Sequence, residues 1–170
     1  EEPSPPVSGS QELVLGLMPG SRRSEIHHHL NVQIQTAQTL VKRHPHLKVH
    51  LLVAPSLATT LLKEALPKDL PICIVKDHPF KMLDGVDVVL CASGTATVMV
   101  GLMKKPMVIM YCINAFTAFL ARRLVTKTKF FGMVNLILGG PVVPERFQDE
   151  ANVETLVADF KIADGGGVLG

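Results

Sequence analysis

Regular patterning starts with an apolar run, Leu13-Val-Leu-Gly-Leu-Met18, which stops at Pro19-Gly20-Ser21-Arg22. It gives way to apolar positions at helical spacing: Ile26, Leu30, Ile34, Ala37, Leu40 and Val41. An apolar run without polar alternation makes a strand buried on both faces, and the second spacing makes an amphipathic helix. The same succession then repeats. His44-Pro45-His46 ends the helix, because proline disfavours helical geometry in the residue before it. Residues 47–54 (LKVHLLVA) predict a second strand, and residues 56–66 a second helix with Ser56 as N-cap and Leu57, Leu61, Leu62 and Ala65 as its buried stripe. Residues 70–75 (LPICIV) predict a third strand, after which Asp77-His78-Pro79 opens a brief helix carrying Phe80, Met82 and Leu83. Residues 86–91 (VDVVLC) and 106–111 (PMVIMY) predict two more strands, separated by the small-residue turn Ala92-Ser93-Gly94-Thr95-Ala96-Thr97 and a helix. A helix is expected over 116–124 and an irregular, Gly- and Pro-punctuated stretch over 134–145. A last helix over 153–161 is expected with Asn152 as its cap. Five strands alternating with helices predict an α/β fold: a Rossmann-like, open, mostly parallel sheet covered by helices on both faces, with right-handed crossovers.

Composition narrows this picture. A chain of 170 residues suits one domain, expected over 12–163, with the Pro- and Ser-rich residues 1–11 as linker or tail and 164–170 as a flexible, glycine-rich tail. Hydrophobic residues make up 47% and aromatic residues only 5%, so the core is aliphatic. A formal net charge of +2 gives no ground for a nucleic-acid partner. Cys73, Cys91 and Cys112 each lie in an apolar run, which predicts buried, reduced thiols and a cytoplasmic setting. No apolar run approaches the ~20 residues that cross a bilayer, and no signal-peptide pattern opens the chain. His27, His28 and His29 are consecutive, and helical neighbours fan out by roughly 100°, so they predict a solvated or partly solvated face and no metal site.

The chemistry concentrates at two turns. Gly20 allows close backbone approach, Ser21 offers a hydroxyl, and Arg22 carries a forked cation suited to phosphate, all at a helix N-terminus. Ser93, Gly94 and Thr95 repeat the arrangement without the cation. Each turn also has a plain structural reading, as a strand-to-helix connection or as N-capping by Ser93 or Thr95. Farther on, Phe116, Phe119 and Leu120 with Arg122, Arg123, Lys127, Lys129 and Phe130-Phe131 suit either an anionic membrane surface or a domain interface.

Taken in order, LMPGSR, ASGTAT, the basic helix, VNLILGG and VVPERFQ give a chain that resembles the C-terminal half of the bacterial lipid A disaccharide synthase family, from about Leu13 to Phe160. The resemblance implies one half of a GT-B glycosyltransferase that joins UDP-2,3-diacylglucosamine to 2,3-diacylglucosamine 1-phosphate (lipid X). The products are UDP and a β-1,6 disaccharide, and neither metal nor cofactor is implied. Gly20, Ser21 and Arg22 match the family's PGSR loop and Ser93, Gly94 and Thr95 its ASGT turn, both implied to contact the donor diphosphate. Asn135, Glu145 and Gln148 match segments implied to lie beside the donor cleft. Met99 departs from the pattern: it stands where the family carries an acidic residue that accepts from ribose hydroxyls, which methionine cannot do. The general base is implied to sit in a preceding domain, so this chain alone is expected to be inactive. Lipid X is expected to bind through that domain, and peripheral contact with the inner membrane and self-association stay open. Two alternatives stand beside this one: another UDP-sugar enzyme of the same fold, such as an N-acetylglucosamine transferase or 2-epimerase, and a non-catalytic nucleotide-sugar-binding module.

Overall fold

Strands that are apolar on both faces need cover on both sides, and the chain supplies it. The computed structural model describes residues 12–112, 130–162 and 168–169. Six strands, β1 (Val14–Met18), β2 (Lys48–Leu52), β3 (Ile72–Val75), β4 (Val88–Ala92), β5 (Met107–Tyr111) and β6 (Glu145–Phe147), form one parallel sheet in the order β3-β2-β1-β4-β5-β6. The helices are α1 (Arg23–Arg43), α2 (Thr60–Ala65), α3 (Pro79–Asp84), α4 (Ala96–Leu102), α5 (Met133–Leu138) and α6 (Val153–Asp159).

Alternate side chains of each central strand feed separate cores. Leu15, Leu17, Val88 and Leu90 join Leu30, Ile34 and Ala37 of α1 and Leu156 of α6 in one layer. Val89 and Cys91 join Leu83, Val100 and Val134 in the other, beneath α3, α4 and α5. Leu15, Leu17, Leu51 and Leu90 are fully buried, and each such burial contributes roughly 1.5–3 kcal/mol relative to exposure. Helix α6 packs on α1, and its N-cap is the expected one: Asn152 Oδ1 accepts from the Thr155 amide at 3.0 Å.

Several expectations are corrected. The sixth strand is unexpected: it starts at the last residue of the stretch read as irregular, is only three residues long and follows Pro144, so it shows no usable periodicity. Helix α2 starts at Thr60, not Ser56, because residues 54–57 close a turn in which the Leu57 amide donates to the Ala54 carbonyl at 3.0 Å. Helix α6 ends at Asp159, and β7 (Lys161–Ile162) pairs antiparallel with β8 (Val168–Leu169), which falls in the stretch expected as a tail. Cys73 is exposed and Cys112 half-buried, since β3 is an edge strand and Cys112 follows the end of β5. Cys91 is buried as expected, and burial pushes its thiol up to about 12. His29 is buried to 1% exposure, whereas His27 and His28 face solvent, so the triplet is split as helical geometry demands. The linker at 1–11 and the basic helix at 116–124 lie outside the described residues.

Candidate functional site

The strand order reverses between β1 and β4, neighbours in the sheet though remote in sequence. In open parallel sheets the crevice beyond the carboxyl ends of such strands is where ligands bind. Met18 is in register with Cys91, so both strands end at the same level and their following turns emerge side by side. Gly20, Ser21, Arg22, Ser93, Gly94 and Thr95 all line one cleft of about 660 Å³, with Met99, Tyr111 and Phe131 on its other walls.

The first turn is already occupied by a carboxylate from its own helix. Ser21 and Arg22 amides donate to Glu25 Oε2 at 3.0 and 3.2 Å, and Arg22 Nη1 donates to Glu25 Oε1 at 3.0 Å. A glutamate reaching back to the first amides satisfies donors that the helix itself cannot. Gly20 makes this fold possible: its φ is +115°, and a Cβ there would sit 2.7 Å from Glu25 Oε2. The Arg22 side chain remains 79% exposed at the mouth of the cleft. Chemically, the turn is a pair of amides plus a guanidinium closed around a carboxylate, the amides on one oxygen and the guanidinium on the other.

The second turn is tied down from behind and open in front. The Ser93 amide donates to the Met110 carbonyl at 2.8 Å, its hydroxyl to the Phe131 carbonyl at 3.0 Å, and the Thr97 hydroxyl to the Gly94 carbonyl at 2.8 Å. Among the described residues no acceptor faces the Gly94 and Thr95 amides, and a Cβ on Gly94 would meet nothing within 4 Å. Met99 lies half-buried on the cleft wall, with no oxygen to offer a ribose.

Asn135 and Glu145 do not line the cleft. Asn135 is 1% exposed; its Oδ1 accepts from the Val142 and Val143 amides, and its Nδ2 donates to the Val143 carbonyl and, at 2.6 Å, to Glu145 Oε1. Glu145 Oε2 accepts from the Phe131 amide at 2.7 Å, so the pair buttresses the wall that Phe131 presents. Gln148 follows β6 with a φ of +52° and is half-buried.

Three features went unread in the sequence. Glu25 was the capping-box residue three places after Arg22, a spacing that could have flagged it. Phe131 stacks on Phe147 at 4.5 Å with planes 8° apart, and Tyr111 flanks Phe147 at 5.8 Å; these partners are long-range and leave no local signal. His29 Nδ1 lies 3.0 Å from the Pro19 carbonyl, and its Nε2 accepts from the Cys112 amide at 3.0 Å. A larger hollow of about 810 Å³ lies between α1 and residues 57–67, but none of the predicted site residues lines it. The described residues contain no cluster of His, Cys, Asp or Glu able to hold a metal ion, and none of their helices is long and apolar enough to cross a membrane.

Residues 8–163 match the family model described as lipid-A-disaccharide synthetase. The lipid-A-disaccharide synthase of Geobacter metallireducens is 33% identical over 168 residues, covering 92% of this chain and 44% of that protein. The enzyme of the same name from Neisseria meningitidis serogroup C is 38% identical over 150 residues, covering 85% of this chain and 38% of its own length. This chain therefore spans less than half the length of these relatives. Among solved structures, S. aureus TarM superposes with a TM-score of 0.48 at 11% identity, over 92% of this chain and 30% of that one. The assignment rests on the family model and the sequence relatives: this chain belongs to the lipid-A-disaccharide synthetase family.

Proposed function

We propose that the cleft between the two turns binds the diphosphate of a UDP-sugar, and that this chain is the donor-binding part of an enzyme joining UDP-2,3-diacylglucosamine to lipid X. The observation that carries the reading is the convergence of Gly20, Ser21 and Arg22 with Ser93, Gly94 and Thr95 on one cleft at the strand-order reversal. Breaking a sugar–diphosphate bond leaves negative charge on the departing UDP, and preorganised cations and amides aimed at that charge lower the barrier. Arg22 supplies the cation, and the Gly94 and Thr95 amides supply donors that need no rearrangement. The Ser21 and Arg22 amides become available once Glu25 swings away. In this reading neutralisation comes from side chain and backbone, without a metal, and the general base comes from the companion domain with the lipid acceptor.

The acylated donor is favoured over an unacylated one by the rim of the cleft. Leu136 lines the cleft, and Leu136, Ile137 and Leu138 on α5 are 46%, 65% and 60% exposed, a surface suited to acyl chains and to peripheral membrane contact. Calorimetric titration of UDP into the chain tests the reading. Measurable binding that Arg22→Ala weakens about tenfold supports it, whereas no heat at millimolar UDP removes its basis. Turnover of unacylated UDP-N-acetylglucosamine by the longer family protein, with acyl-sugars ignored, would move the assignment to another UDP-sugar enzyme.

Met99 favours a second reading, a binding module that has lost catalysis. If Met99→Glu raises UDP affinity strongly, the ribose site has decayed; if it leaves affinity unchanged, the cleft holds the ribose by other groups.

A further inference from the structure

The buried imidazole of α1 has both nitrogens engaged, by partners that belong to different walls of the cleft. Pro19 immediately precedes Gly20, and Cys112 immediately follows Tyr111; Gly20 and Tyr111 both line the cleft. We propose that His29 is a positioning residue of this cleft: a neutral imidazole that ties the 20–22 turn to the end of β5 and so fixes the separation of two walls. Its effect on donor binding rests on the UDP-sugar reading above; the tie itself does not.

The protonation state follows from the partners. A backbone amide can only donate and a carbonyl can only accept. Cys112 N–H therefore requires a bare Nε2, and the Pro19 carbonyl requires a proton on Nδ1, at 3.0 Å in both cases. One neutral tautomer satisfies both contacts, and the imidazolium satisfies only one, because its Nε2–H would point at the Cys112 N–H. Leucine would fill this helix position with no polar group to bury, so the tie is what histidine adds.

The groups around the ring agree. Glu25, one turn back on α1, favours the charged form and neighbouring His28 opposes it. Tyr111 stands beside the ring at 6.4 Å from β5, and Asp149 acts on the Cys112 thiol from the turn after β6. Burial outweighs these and holds the imidazole below its ordinary titration range.

Isotope-labelled chain, followed by NMR from about pH 8 to about pH 5, tests the tie without any ligand. The expected result is an unprotonated Nε2 at neutral pH and Ser21 and Cys112 amide resonances that shift together as His29 titrates. The coupling should vanish in His29→Gln and His29→Leu. Gln keeps an acceptor for Cys112, so it should fold even where Leu does not, and chemical denaturation of both variants separates loss of the tie from loss of the fold. In the second arm, His29→Leu should raise the UDP dissociation constant about three- to ten-fold, the value of one hydrogen bond, with His29→Gln between Leu and the parent. Ser21 and Cys112 amides titrating independently, or a His29→Leu chain that folds and binds UDP as the parent does, would overturn the proposal. Coupled shifts in a chain that binds no UDP would sustain the tie and overturn the donor reading instead.

Discussion

The two turns look alike in sequence, each a glycine beside a hydroxyl at a strand-to-helix junction, yet they are finished differently. At 20–22 the glycine is required by the fold: its φ of +115° and the Glu25 carboxylate packed against it leave no room for a Cβ. The donors there are already paired inside the chain. At 93–95 the glycine has no steric partner and the Gly94 and Thr95 amides face no acceptor among the described residues. One turn is sealed by its own acid; the other leaves its amides open to the cleft.

The largest expected effect is on stability at the first turn. Gly20→Ala should cost about 2–3 kcal/mol in chemical denaturation, since it adds backbone strain and displaces Glu25. Next comes Arg22→Ala, which should leave stability within about 0.5 kcal/mol, because its ion pair is exposed, while weakening UDP about tenfold. Gly94→Ala sharpens the contrast: unfolding should change by less than about 0.5 kcal/mol, whereas UDP affinity should fall several-fold because the new methyl occupies the approach. Equal destabilisation by Gly20→Ala and Gly94→Ala would erase the distinction. Glu25→Gln removes the competing charge and keeps one acceptor for the amides, so UDP should bind about two- to five-fold more tightly, at a stability cost below about 1 kcal/mol.

The smallest effect concerns pH. Burial lowers the His29 and His50 titrations from the ordinary 6.5, so below that value the unfolded chain binds protons that the folded chain refuses. Stability is therefore full above about pH 6.5 and declines as pH falls below it. His29→Gln should flatten that decline in denaturation series run across the window.

The architecture was legible because aliphatic runs ending in glycine turns, alternating with 3.6-residue spacing, allow little but a covered parallel sheet. Both turns were legible for the same reason, since Gly20 and Gly94 interrupt strong periodicity. What escaped depends on contacts across the chain. The short strand β6 exists because β5 offers it an edge, pairing Ile109 with Glu145. Asn135 and Glu145 enter only through the family resemblance, and their placement as a buttress behind Phe131 depends on partners seven to fourteen residues away. His29 could be separated from His27 and His28 by helical phase alone, but its ties to Pro19 and Cys112, the latter 83 residues away, could not be foreseen.

Amide mapping during a UDP titration asks whether the two unlike turns grip one diphosphate. If they do, the Ser21, Arg22, Gly94 and Thr95 resonances of labelled chain all move along one binding curve, with the first pair shifting as Glu25 leaves. Movement confined to one turn, or saturation of the two turns at different UDP concentrations, would contradict it.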